Sequence, residues 1–403
     1  METVIIIGAG ASGMAAALTA AGTPERRVLL LERQQRAGRK LLATGNGRCN
    51  LTNIGAEPSR YHGAEADFVR PALTAYPPEE TLAWFRALGL VTVTEPGGRV
   101  YPLSDSANSV VDVLRFALEA AGVELRAACP VRGLRREKRG GFAVVTDAET
   151  LHADKLIVAC GGAAGAKLGG VSDGYNLLEP LGHRRTALYP SLVPILTEPD
   201  YPRALKGVRA DCALRLLGGK EPAEALGELQ FTETGVSGPV AFDLSRAAAT
   251  GGKGLTLSAD FLRSYSEEDV FALLCARREK LPALPASELL TGVLHNRLGR
   301  MLVKYAGLEA NTPLGALGGG QLHALARACK NFRLPVCGVG GFDAAQVTAG
   351  GVRTSGFNPE TLESWFVPGL FACGEVLDVD GDCGGFNLQW AWSSGRLAGR
   401  LGT

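Results

Sequence analysis

Three glycines interrupt an apolar run at the start of the chain, IIIGAGASGMAAAL, and a second run, RVLLLE, ends on a carboxylate, Glu32. Gly8, Gly10 and Gly13 have the GxGxxG spacing of a phosphate-cradling turn. Gly8 permits the tight turn, Gly10 lets a pyrophosphate approach the backbone, and Gly13 lets a following helix pack on the strand. The free amides at that helix start, from Ala11 through Ser12, then face the phosphates. Glu32 lies 19 residues beyond Gly13, where an acid accepts hydrogen bonds from both ribose hydroxyls and repels a 2′-phosphate. NADP is thereby excluded at this turn, leaving NAD or FAD.

A second glycine-gated set lies near the other end, in CGEVLDVDGDCGGFNLQWAWSSGRLAG, residues 373–399. A strand ends at Gly374–Glu375, and Gly384–Gly385 opens a helix whose N-terminus suits the partly negative pyrimidine carbonyl of a reduced flavin. Two nucleotide-facing turns at opposite ends of the chain suit one long ligand, FAD, better than NAD. No second GxGxxG marks a permanent NAD site, so NAD(P)H is expected to bind transiently. A polar loop, Thr44–Asn50, follows Glu32 and holds Cys49 beside Arg48. The arginine's charge would lower the thiol's pKa, making Cys49 the candidate proton donor, set against a small residue packed behind the loop. Cys383 is a weaker candidate of the same kind.

These residues need elements to hold them. Thr3–Ile7, Ala11–Ala21 and Arg27–Leu31 read as a βαβ unit with short connections. Helices follow at Pro77–Leu88 and Ser106–Ala121, then strands at Val123–Arg126, Val131–Glu137, Phe142–Thr146 and Lys155–Ala159. After about residue 190 the pattern changes to short alternating strands, then to amphipathic segments around Val270–Leu281, Ser287–Tyr305 and Gln321–Asn331. Strand signals return at Pro335–Val339 and Gly369–Cys373. The segment from 190 to 335 therefore reads as an insertion into an α/β domain.

With 46% hydrophobic and 21% charged residues, the chain has the composition of a soluble globular protein. Its formal charge of +1 implies no field that would capture nucleic acid or membrane. Nine cysteines without a CxxC pair suit reduced thiols in a cytoplasmic setting rather than a disulfide framework or a metal site. The N-terminus lacks a signal-peptide pattern, and no apolar run is long enough to span a bilayer. The basic runs Arg132–Arg139 and Arg297–Lys304 read first as solvated faces and second as surfaces for RNA.

Five separated motifs, TGNGRCNLTN, GGRVYPLSDSA, FTETGVSGP, TAGGV and GEVLDVDGDCGGFNLQWAWSSG, together resemble the BaiN/YhiN-like family of two-dinucleotide-binding-domain flavoproteins, over nearly the whole chain. The resemblance implies an α/β fold: a discontinuous Rossmann-like FAD-binding domain with an inserted β-barrel plus α-helical domain. The divisions expected are 1–189 and 335–403 for the FAD domain, 190–262 for the barrel and 263–334 for the helices. It implies an FAD-dependent oxidoreductase in which NAD(P)H drives reduction of a small-molecule double bond through flavin N5. The alternatives are an aminoacetone oxidase-like amine oxidase and an enzyme reducing uridine in ribosomal RNA. It would place Gly8, Gly10, Ser12 and Gly13 on the pyrophosphate, Glu32 on the ribose, and Arg33 and Lys40 near the adenosine or phosphates. Asn46, Gly47, Arg48 and Asn50 would line the flavin region, and Val131 and Gly161 would lie by the adenine nucleotide. Gly374 and Glu375 would approach the ribitol, and Gly385, Phe386, Asn387 and Leu388 the ring. Cys160 stands where the family commonly has threonine.

Overall fold

The computed structural model describes residues 1–219 and 222–402, and the chain divides into two compact units, Met1–Tyr189 with Ala345–Thr403, and Pro190–Ala344. In the first unit, five parallel strands form one sheet in the order Leu370–Ala372, Lys155–Val158, Glu2–Ile7, Arg26–Leu31, Glu124–Arg126. Its central residues, Val4–Ile7, Val28–Leu31 and Leu156–Val158, are continuous apolar runs and are buried, as strands covered on both faces require. Helix Ala11–Ala21 follows the first strand, and the C-terminal helix Phe386–Gly399 packs against it. A Cβ on Gly395 would lie 2.3 Å from the Ser12 carbonyl oxygen, and one on Gly399 2.5 Å from that of Ala16. These helices therefore approach backbone to backbone.

A row of backbone hydrogen bonds runs along the carboxyl edge of the sheet. Cys373 N–H donates to Val158, Ala159 to Ile7, Gly8 to Leu31 and Glu32 to Arg126, at 2.7–3.1 Å. All four turns that leave this edge are thus held side by side. In the same unit the chain running out toward Tyr189 and the chain coming back pair antiparallel: Thr186 N–H donates to Gly351 and Arg353 N–H to Arg184, both at 2.9 Å.

The second unit is built on a closed six-stranded barrel, Ile195–Thr197, Gly235–Ser237, Ala223–Phe231, Arg209–Leu217, Thr256–Asp260 and Phe332–Val339, in that order. Helices Pro239–Thr250, Glu267–Lys280, Asn296–Tyr305 and Gly319–Lys330 share its core. The division expected at 334/335 falls inside the barrel's closing strand, because Ile195 pairs with Val339 and Thr197 with Val336. Pro335–Val339 is therefore barrel, not the resumed sheet. The expected helix Ser287–Tyr305 is also broken. A 3-10 turn covers Ala286–Glu288, Gly292 is left-handed at φ 83°, and the helix starts at Asn296, where the His295 ring caps the Arg297 amide at 3.2 Å.

Candidate active site

The four turns at the sheet's carboxyl edge carry about half of the residues singled out by the sequence. Gly8 is left-handed at φ 104°. A Cβ at Gly13 would fall 1.8 Å from the Gly8 carbonyl oxygen, whereas one at Gly10 would meet nothing within 4 Å. Gly13 thus serves the packing of helix on strand, and Gly10 leaves backbone open to a ligand. The helix starting at Ala11 has no side-chain cap, so its first amides lack an intrahelical partner and form an anion-facing end. Ser12 is buried, its hydroxyl oxygen 2.4 Å from where a Cβ of Gly374 would lie.

Glu32 accepts from the Ala9 amide at 3.0 Å and the Gln34 amide at 2.8 Å, one on each carboxylate oxygen. Both bonds fix the acid at the strand end and leave each oxygen a lone pair for a hydroxyl. Arg33 ion-pairs with Asp173 at 3.7 Å. The segment leading to Val131 rides beside this turn, with Cys129 N–H on the Glu32 carbonyl at 2.8 Å. Gly161 is left-handed at φ 72° and faces open space.

The two ends of the chain meet through Lys40. Its ammonium pairs with Glu375 at 2.7 Å, and the other Glu375 oxygen accepts from the Thr348 amide at 2.8 Å. Thr348 is fully buried, and its hydroxyl accepts from Ala164 N–H at 2.9 Å. Thr348, within TAGGV, is a positioning residue that neither spacing nor charge singled out. So are the residues by which the C-terminal helix holds the loops. Trp390 Nε1 donates to the Gly374 carbonyl at 3.1 Å, and the Ser394 hydroxyl accepts from Gly374 N–H at 3.0 Å. Trp392 Nε1 donates to Leu51 at 2.8 Å, and Asn53 Nδ2 to the Gly384 carbonyl at 2.9 Å. The Asn387 side chain is spent on both backbone groups of Gly381, at 2.8 Å each. Phe386 is buried and Leu388 half-buried at the helix start.

The polar loop departs from expectation at two residues. Arg48 does not face Cys49. Its guanidinium pairs with Glu95 at 2.5 Å and with Asp105, and sits 4.0 Å over the Tyr101 ring. Cys49 is fully buried, and burial pushes its thiol up to about 12. The expected lowering of that pKa therefore has no charge to cause it, and the thiol packs behind the loop. Asn46 and Gly47 are exposed with left-handed backbone, at φ 57° and 87°. Asn50 is different: its Oδ1 is buried without a hydrogen-bond partner, next to the N-cap glycine Gly385.

Against known proteins, residues 2–401 match the family described as HI0933-like protein Rossmann domain. The chain is 40% identical to the 3-dehydro-bile acid delta(4,6)-reductase of Clostridium scindens, across 99% of this chain and 98% of the relative. It is 32% identical to the ribosomal RNA dihydrouridine synthase of Escherichia coli, across 97% and 95%. The 3-ketosteroid delta1-dehydrogenase of Sterolibacterium denitrificans shares the fold, with a TM-score of 0.52 at 15% identity over 99% of each chain.

Proposed function

Because the chain belongs to the HI0933-like family and is a flavoprotein oxidoreductase on a Rossmann-type FAD-binding domain, we propose that it uses NAD(P)H to reduce a carbon–carbon double bond in a small steroid-class substrate. The observation that carries the reading is the meeting of the Gly8–Gly13 turn and the Gly374–Glu375 turn at one sheet edge, where Ser12 lies against Gly374 and Lys40 pairs with Glu375. The residues present fit FAD: Gly10 and Gly161 leave space where side chains would intrude, and Asn50 Oδ1 is a buried acceptor of the kind a ring N–H satisfies. The substrate class follows from the bile acid reductase, similar over nearly its whole length.

Bound FAD supplies two-electron transfer between a pyridine nucleotide and a substrate carbon. The balance is one hydride from NAD(P)H to one carbon of the double bond and one proton to the other, yielding NAD(P)⁺ and the saturated product. The amides of Ala11–Gly13 hold the pyrophosphate and Glu32 the adenosine ribose. Lys40 offsets the phosphate charge while anchoring Glu375. The amides at Phe386–Leu388 form an uncapped helix start that would favour an electron-rich edge of the bound cofactor.

The second reading, reduction of uridine in ribosomal RNA, is favoured by the Escherichia coli relative. The basic runs do not strengthen it. Arg132 is bidentate on Asp147, Arg300 is bonded to Glu288, and Arg297 is spent on the carbonyls of Ala204 and Lys206. Anaerobic bleaching of the flavin by NADH or NADPH, followed by reoxidation with a 3-oxo steroid bearing a ring double bond or with unmodified ribosomal RNA, separates the two. Reoxidation by oxygen alone would sink both.

A further inference from the structure

In the flavin unit, where the outgoing and returning strands pair, lies a pocket of about 420 Å³ lined by Tyr175, Glu179, His183, Arg184, Arg185 and Arg353. Arg184 and Arg353 are joined through their backbones at 2.9 Å, and Arg185 is bridged to Val352. The three guanidiniums thus come from one short antiparallel pair. All three are exposed, and among the described residues none is ion-paired to a carboxylate; Arg185 reaches only the Thr186 carbonyl, at 3.5 Å. Most other arginines of this unit have an acid or a carbonyl. The remaining walls do not neutralise the cluster. His183 is 2% exposed, stacked on Phe357 at 4.3 Å and bonded to Ser364 at 2.9 Å, and burial holds it uncharged. Tyr175 is 3% exposed, its hydroxyl near Thr348 and Ala163 but hydrogen-bonded to neither. Three arginines against Glu179 leave a lining charge of 3 − 1 = +2.

We propose that this pocket binds a phosphate monoester dianion, and that its bearer is the 2′-phosphate of the reducing dinucleotide, so that NADPH is preferred over NADH. A phosphate monoester carries about −1.5 to −2 charge at neutral pH, matching the lining, and guanidinium forks suit its oxygens. A half-enclosed pocket of this size suits part of a small ligand, not a long polyanion tracked along a surface. The assignment rests on the reading that a pyridine nucleotide reduces the flavin.

The test uses the full chain loaded with FAD. Calorimetric titration compares 2′,5′-ADP, 5′-AMP and inorganic phosphate on wild type, Arg353→Ser, Arg184→Ser and Arg353→Lys. The expected result is that 2′,5′-ADP binds at least about tenfold tighter than 5′-AMP, each serine variant removes about tenfold of that, and lysine restores part of it. The ratio of kcat/KM for NADPH over NADH falls in parallel. Equal affinity for 2′,5′-ADP and 5′-AMP, or serine variants with unchanged ratios, overturns the proposal. If inorganic phosphate binds as tightly as 2′,5′-ADP while NADH and NADPH reduce the flavin alike, the 2′-phosphate assignment falls and the reductase stands. If no pyridine nucleotide bleaches the flavin yet 2′,5′-ADP binding still needs Arg353, the phosphate pocket stands and the reductase reading falls.

Discussion

Gly10 and Gly13 differ in what a methyl group would strike, and this separates binding from folding. A methyl at 13 collides with the Gly8 carbonyl at 1.8 Å; at 10 it meets no protein atom within 4 Å. Gly13→Ala is expected to lower stability by about 1–3 kcal/mol through overpacking and to lose flavin with it. Gly10→Ala should keep the apo-protein's melting temperature and lose flavin, as flavin absorbance per chain would record; equal melting losses in both variants would refute this division. His183 gives a pH signature. Burial lowers its pKa to about 4 from the usual value near 6.5. The unfolded chain therefore takes up the proton first. Its contribution is complete above about pH 6.5 and is lost as pH falls toward 4, by at most roughly 3 kcal/mol. Urea midpoints measured from pH 7 to 4 should decline less steeply in His183→Gln than in wild type, and parallel declines would exclude the assignment.

The C-terminal helix organises the site more than its composition suggests. Gln389 is fully buried, with Nε2 within 2.8–2.9 Å of Thr81, Ser393 and the Tyr76 carbonyl, while its Oε1 accepts from Thr52 at 2.5 Å. Gln389→Leu orphans several buried groups, and a loss of about 2–4 kcal/mol is expected from roughly 1–3 for each. Thermal denaturation checks this, and a loss under 1 kcal/mol would mean the groups find other partners. The glycine turns and Glu32 were legible because their chemistry is local: strand, turn, helix and acid fall within about thirty residues. Gln389 with Thr52, Lys40 with Glu375, and Trp392 with Leu51 were not, because each joins segments more than 300 residues apart. Cys49 misled for the converse reason. Its neighbour in sequence carries a charge, but the fold turns that charge to Glu95 and Asp105. The 334/335 division failed because a barrel's closing strand and a resumed sheet strand look alike until their partners are known.

Among the described residues there are two apolar cores, one per unit, with no residue common to both. Pro190–Ala344 is continuous in sequence and closes its own barrel. Expressed alone, this segment is expected to unfold cooperatively in urea with dispersed amide resonances; a broad, non-cooperative transition would show that it depends on the flavin unit. The flavin unit has no such independence in time. Its strand Lys155–Val158 needs Leu370–Ala372 as a neighbour, and the two are separated by 370 − 158 = 212 positions. At roughly 5–20 residues per second, a ribosome takes ten seconds or more to deliver the missing strand. Throughout that interval the sheet carries a bare edge, the kind of template that invites mispairing. The helix start at Phe386 emerges later still. If the Phe386 helix start forms part of the flavin site as proposed, that site is complete only once this last helix has left the ribosome.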